Sequence, residues 1–252
     1  MNLMGLQGGQ YKPLSPEQVK TIHEASLKIL EQTGITYEAG LEETIKMLEN
    51  NGASIDKDQK RIRFPKELVT TQVAKAPEKV LLCGQDPKND MNLTEDRVHL
   101  GTGGAAIKIL DPDTGKIRST TLDDLYKVSR LVDQLSNIHF LVRPCIPTDI
   151  DEKDYDINMF YTCLAASGKH VMSGVNDEEG LHRVMELAAM ILGGKEKLKK
   201  RPIISITACF AISPLKLCTQ STRIMQEAIR NFIPVALSSA PMAGSTSPLT
   251  MA

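Results

Sequence analysis

The chain has 252 residues, 41% hydrophobic and 24% charged, with 30 basic against 31 acidic side chains. That composition supports a large globular core. The near-neutral balance gives no field to attract nucleic acid or an anionic membrane, and no window approaches the ~18 apolar residues of a membrane span.

Cys83, Cys145, Cys163, Cys209 and Cys218 form no CxxC or Cys/His cluster, so neither a disulfide framework nor a zinc site is indicated. The start, MNLMGLQGGQ, lacks the basic and long apolar regions of a signal peptide, and a cytoplasmic protein is expected. Ser15-Pro-Glu-Gln18 caps a predicted helix to residue 33, closed at Gly34, with Val19, Ile22, Leu27, Ile29 and Leu30 as its apolar stripe. Helices over 41–50 and 65–75 follow, with an extended piece at 62–64. Residues 1–79 are therefore expected as a helical amino-terminal region.

From residue 80 the period shortens to two. Strands are predicted at 80–83, 98–100 and 107–110, and Asp111-Pro-Asp-Thr-Gly115 turns the chain back as a hairpin through 116–119. Residues 80–120 thus form a small β element. Gly101-Thr-Gly-Gly104 reads as a tight loop between strands.

Beyond residue 120 helices and strands alternate. Helices are predicted at 122–136, 154–166, 178–192 and 215–231, and strands at 139–142, 170–173, 203–208 and 235–237. Phe140, Val171, Ile204 and Val235 recur roughly every 31 to 33 residues, about the unit length of a (β/α)8 barrel. An open doubly wound sheet shares that rhythm, but its strands are apolar on both faces. Here Ser205, Thr207 and Cys209 alternate with Ile204, Ile206 and Ala208, which favours an incomplete TIM-like barrel over residues 121–252. The last stretch, a strand at 233–237, small polar residues, Pro241, Gly244 and the Ser247-Pro248 helix start, predicts a polypeptide that continues.

Candidate site residues lie at predicted carboxyl strand ends, where barrels keep their sites. Arg143 would hold a carboxylate or phosphate with its planar fork, or simply pair with Asp149 or Asp151. Ser173, Thr207, Cys209, Ser238 and Ser239 line a substrate pocket or merely fit a tapered interior. Gly103 and Gly104 admit close approach of a ligand or only tighten a loop, and match no nucleotide-binding fingerprint. Tyr155 sits early enough in its helix to reach the same edge. His139 and His170 begin strands at the far end, no metal cluster is apparent, Lys195 to Arg201 reads as a solvated loop, and the helix dipole accounts for Asp123 and Asp124.

Ser238-Ser-Ala-Pro-Met-Ala-Gly-Ser-Thr-Ser-Pro-Leu-Thr250 resembles a strand-to-helix segment of the trimethylamine methyltransferase family. Thr207-Ala-Cys-Phe-Ala-Ile-Ser-Pro-Leu215, Val171-Met-Ser-Gly174, Gly101-Thr-Gly-Gly-Ala105 and the Ser15-Pro-Glu helix start extend the likeness. The resemblance implies a TIM-like barrel in a longer chain. It implies methyl transfer from a methylated amine, trimethylamine or a quaternary amine such as glycine betaine, to the Co(I) corrinoid of a separate partner protein. No cofactor is then bound directly, which suits the absence of an Asp-x-His-x-x-Gly cobalamin pattern, and a homo-oligomer is expected. Other readings are a lyase or aldolase on the same barrel, or a non-catalytic ligand-binding relative.

Overall fold

The computed structural model of the protein describes residues 5–239 and Gly244. The expected helix start at Ser247-Pro248 lies outside them. In chain order the elements begin with β1 Leu6–Gln7, α1 Pro16–Lys28, β2 Ile35–Tyr37, α2 Glu42–Asn50, β3 Ser54–Asp56, β4 Arg61–Arg63 and α3 Lys66–Val73. Then come β5 Lys79–Leu82, β6 Met91–Thr94, β7 Arg97–Val98, β8 Lys108–Leu110, β9 Ile117–Ser119 and α4 Leu122–Gln134. After these follow β10 Phe140–Val142, α5 Tyr155–Ala166, β11 His170–Ser173, α6 Glu178–Leu192, α7 Lys195–Lys200 and β12 Ile204–Ala208. The series ends with β13 Ala211–Ile212, β14 Lys216–Leu217, α8 Thr219–Arg230 and β15 Val235–Leu237.

The chain divides into two compact units. One comprises Lys79–Thr207 and Ile224–Ala236 with a short amino-terminal piece; the other comprises Gly9–Glu78, Ala208–Arg223 and the described residues from Leu237 on.

In the second unit the capping box forms as expected: Gln18 N donates to Ser15 Oγ at 3.3 Å and Ser15 N to Gln18 Oε1 at 2.8 Å. The helix runs on as a π turn and stops at Gly34, whose φ is +70° and where a Cβ would lie 2.2 Å from the Ile62 carbonyl oxygen. Of the expected stripe on α1 only Leu27 is buried, while Val19 and Ile22 stay exposed. The stretch expected to be helical also supplies β2, β3 and β4 to a five-stranded sheet of order β13-β14-β2-β4-β3. Of these three strands only β4 was foreseen, as the extended piece at 62–64. Ile35, Leu41, Ile45, Ala53, Ile62 and Leu217 form this unit's core. The helix expected from residue 215 starts at Thr219 instead, because Leu215 takes φ +50° and Lys216 and Leu217 pair with Thr36 and Tyr37.

In the first unit four strands lie in the order β10-β11-β12-β15. β10 and β11 pair in parallel with Leu141 opposite Val171, as do β11 and β12 with Val171 opposite Ile204. Gly101-Thr-Gly-Gly104, expected as a tight loop, and the two residues after it run parallel to β10 through bridges Gly101↔Phe140 and Ala106↔Cys145. Thr102 fastens them: its hydroxyl donates to the Val142 carbonyl and accepts from Val142 N at 2.9 Å. Leu141, Val171, Ile204 and Ile206 are fully buried in one core with residues of α4, α5, α6, α7 and α8. Of the opposite parity, Phe140, Val142, Met172 and Thr207 are half-buried, whereas His170 and Ser205 are buried. The fold is mixed α/β, and no closed barrel is present among the described residues.

Three local readings change. Of the run at 195–201, Lys195–Lys200 is helix α7, whose lysines are exposed as expected while Leu198 is buried, and Arg201 is not a free surface residue but donates to both Asp90 oxygens at 2.7 and 2.8 Å. Asp124 does more than answer a helix dipole: both its oxygens accept from Arg118, at 2.6 and 2.9 Å, and it closes a capping box with Thr121. Strand β6 was not foreseen; it pairs with β5 as an antiparallel hairpin.

The amino ends of the parallel strands hold two buried bases. Lys169, 1% exposed, donates from Nζ to the carbonyls of Val132, Leu135 and Ile138 at 2.6, 2.8 and 2.6 Å, and so caps the end of α4. His170 is wholly buried, with Nδ1 2.9 Å from the Cys83 carbonyl oxygen and Nε2 2.8 Å from Ser205 Oγ. Burial pushes its pKa down to about 4, against the smaller upward pull of the Cys83 and Pro202 backbone groups.

An unfolded histidine titrates near 6.5, so below that pH the unfolded state binds the proton better. The contribution of His170 is therefore complete above about pH 6.5 and is lost as the pH falls from there to about 4, by about 3 kcal/mol in all. Urea unfolding at pH 7 and pH 4 should show the native protein losing that much more stability than a folded His170→Gln variant. Equal losses would refute the assignment.

Candidate functional site

The parallel register carries Arg143 and Ser173 one step past Val142↔Met172 and to the sheet's edge, where Arg143 N still donates to the Met172 carbonyl at 3.3 Å. Alternation puts both on the helix-facing side with Leu141 and Val171. There they meet the first turn of α5. The Arg143 guanidinium carbon lies 5.7 Å from the centre of the Tyr155 ring, within reach of a cation–π contact. Among the described residues Arg143 forms no ion pair with the acidic partners anticipated for it, and Asp149 Oδ1 instead accepts from Leu122 N at 2.9 Å.

Four buried polar atoms here have no hydrogen-bond partner among the described residues: Arg143 Nε, the Tyr155 hydroxyl, Ser173 Oγ and Asp156 Oδ1. Buried polar groups are normally paired, so such a concentration marks a place for something else. Three of the four can donate. Burial raises the Tyr155 pKa and the Arg143 charge opposes the rise. Asp156 is 7% exposed, and its Oδ2 accepts from Asn176 N at 2.8 Å. Burial lifts its pKa first of all; the Asn176 N–H and Arg143 pull it down, and Asp177 adds to the rise. Cys145, buried close by, is pushed up to about 11 by burial and is no ready nucleophile.

Thr207 stands on the opposite face of the sheet, in line with Ser205, and is half-buried. Gly103 and Gly104 are exposed beside β10; a Cβ on Gly104 would approach Val142 to 3.2 Å, whereas at Gly103 it would meet nothing. The structure therefore gathers Arg143 and Ser173, and sets Thr207 apart from them. In the second unit Cys209 Sγ lies 3.0 Å from Ser238 Oγ, and Ser239 is exposed.

Sequence reasoning missed Asp156 and Thr102. Asp156 reads as an ordinary acidic residue near a helix start, and only the fold shows its burial. Thr102 was hidden among glycines. A cleft of about 630 Å³ opens beside Asp156, between the loops leading into α5 and α6. Among the described residues no three His, Cys, Asp or Glu side chains gather as a metal site, and no helix is long and apolar enough to cross a membrane.

Against known proteins, the chain matches the trimethylamine methyltransferase (MTTB) family over residues 4–252. It is 32% identical over 238 residues to trimethylamine methyltransferase MttB of Desulfitobacterium hafniense, covering 94% of this chain and 47% of that protein. It is 28% identical over 250 residues to glycine betaine methyltransferase of another strain of that organism, covering 99% and 51%. With trimethylamine methyltransferase MttB of Methanosarcina thermophila it shares 26% over 254 residues, covering 98% and 52%. The chain thus spans about half the length of these relatives. A solved structure of the hydroxylamine MtmB complex superimposes with a TM-score of 0.47 at 13% identity, over 87% of this chain and 50% of that one.

Proposed function

The chain belongs to the trimethylamine methyltransferase (MTTB) family, and from that premise we propose that its protein moves a methyl group from a methylated amine to the Co(I) corrinoid of a partner protein. The match over residues 4–252 carries this reading. Relatives named for trimethylamine and for glycine betaine support two substrate types. In the same reading the four-stranded arc is part of a TIM-like barrel.

The partner's Co(I) would supply the nucleophile, and the C–N bond would break with its electron pair returning to nitrogen. A quaternary ammonium would leave as a neutral amine with no acid needed, whereas trimethylamine would need a proton on nitrogen to leave as dimethylamine. The protein's task is to hold the amine in line and keep water away. The half-buried face of Val142, Met172 and Thr207 offers a mainly apolar surface for methyl groups. At the rim, the unpaired donors of Arg143, Tyr155 and Ser173 suit a carboxylate. Those donors, on the other side of the sheet from Thr207, favour a substrate that carries a carboxylate, such as glycine betaine.

Mixing the protein with its corrinoid partner, or with Co(I)alamin, and a panel of methylamines and betaines should bleach the Co(I) spectrum in the presence of at least one amine. A spectrum indifferent to every amine would defeat the assignment. Losing one charge-assisted hydrogen-bond donor is worth roughly a tenfold effect or more. Arg143→Ala should therefore raise the KM for glycine betaine about tenfold and leave that for trimethylamine within about threefold. Equal effects on the two substrates would remove Arg143 from the pocket.

A further inference from the structure

An open groove of about 610 Å³ lies wholly within the second unit, between α2, the end of β2 and the turn that joins β3 to β4. That volume is in the range of small-molecule sites. Its floor is apolar. Leu41 and Ile45, one helical turn apart on α2, are buried members of this unit's core, and half-buried Tyr37 packs against them.

The rim is charged. Lys46, Lys57 and Lys60 line it together with Glu42 and Glu49. Glu42 is partly occupied, since its Oε1 accepts from Gly40 N at 3.1 Å. Among the described residues none of the three lysines has an acidic partner, whereas Lys127, Lys199 and Lys216 each pair with a carboxylate. Three ammonium groups against two carboxylates leave the rim with an excess of positive charge.

Lys60 adds a separate sign. It closes its turn at φ +47°, a left-handed conformation that a lysine disfavours and that hairpin turns normally give to glycine or asparagine. Tyr37 N donates to its carbonyl at 3.1 Å, which sets this strained residue beside the floor. The chain thus keeps a cation on the groove's wall where glycine would relieve the backbone. Unpaired ammonium groups on flexible stems above an apolar floor suit a ligand with a carboxylate head and an apolar tail.

We propose that this groove binds a small amphipathic carboxylate, with its apolar part on Tyr37, Leu41 and Ile45 and its carboxylate among Lys46, Lys57 and Lys60. The site belongs to a different unit from Arg143 and Ser173, and it does not rest on methyl transfer.

The 15N-labelled chain would be titrated at pH 7 and constant ionic strength with sodium octanoate, 1-octanol and octylammonium chloride, each below its micellar concentration. The Ile45, Lys46 and Lys57 amides report on the groove. Octanoate should give saturable shifts there and bind roughly fivefold more tightly than octanol through its charge-assisted contacts, with octylammonium weakest. A Lys46→Gln, Lys57→Gln, Lys60→Gln triple variant should bring octanoate down to the affinity of octanol and leave octanol unchanged. Lys60→Gly, which suits the left-handed turn, should lose about threefold in octanoate affinity. Octanol or octylammonium binding as tightly as octanoate, shifts confined to other amides, an octanoate preference intact in the folded triple variant, or an unchanged affinity in Lys60→Gly would each overturn the proposal. Should the triple variant not fold, Lys60→Gly and the three probes on the native chain still decide.

Discussion

One constraint shapes the larger unit: its parallel strands pair in the order in which the chain makes them. A crossover between parallel neighbours is almost always right-handed. When strands succeed one another in a single direction, that handedness places every connecting helix on the same face. The core shows the result, with Leu141, Val171, Ile204 and Ile206 buried together with α4, α5, α6, α7 and α8. Each such side chain taken from water contributes roughly 1.5–3 kcal/mol, and their common burial defines the sheet's orientation. A doubly wound sheet would reverse its strand order and cover both faces with helices. Here Val142, Met172 and Thr207 on the other face are only half-buried, while His170 and Ser205, nearer the amino ends, are buried.

The polar features follow from the ends of this ladder. At the amino ends, buried His170 and Lys169 find backbone carbonyls, and Ser205 completes the pairing of the imidazole. These groups are satisfied and hold the unit together. At the carboxyl ends the ladder stops and the chain turns into loops, leaving Arg143, Tyr155, Ser173 and Asp156 with unpaired atoms. The contrast between a satisfied end and an unsatisfied one is the local argument for where a ligand belongs.

Regular elements were legible to the residue where periodicity was strong. Helix α6, closed by Gly193 in a left-handed conformation, and strand β11 begin and end where their patterns predict. Alternation in β12 correctly separated the core-facing Ile204 and Ile206 from Ser205 and Thr207. β2 was not legible, since its partners β4 and β14 are distant in sequence, and β3, the near half of a hairpin with β4, was missed. The pairing of residues 101–106 with β10 was hidden for another reason: a threonine side chain replaces part of the backbone ladder. Site residues were visible as types at strand ends, but not as a set. Arg143 and Ser173 share a side of the sheet with Tyr155 and Asp156, whereas Thr207 faces away, and only register reveals that division.

The central claim of the proposed function is that the methyl groups of the amine lie against the face of Val142, Met172 and Thr207, with Arg143 and Ser173 at the rim beyond it. Thiol labelling at single introduced cysteines, located by peptide mass spectrometry, tests it directly. Thr207→Cys should react readily and be slowed by a bound methylated amine, while Ile206→Cys, turned into the core, should stay unreactive in the folded protein. Labelling at Ile206→Cys as fast as at Thr207→Cys, or labelling at Thr207→Cys that no amine slows, would contradict the account.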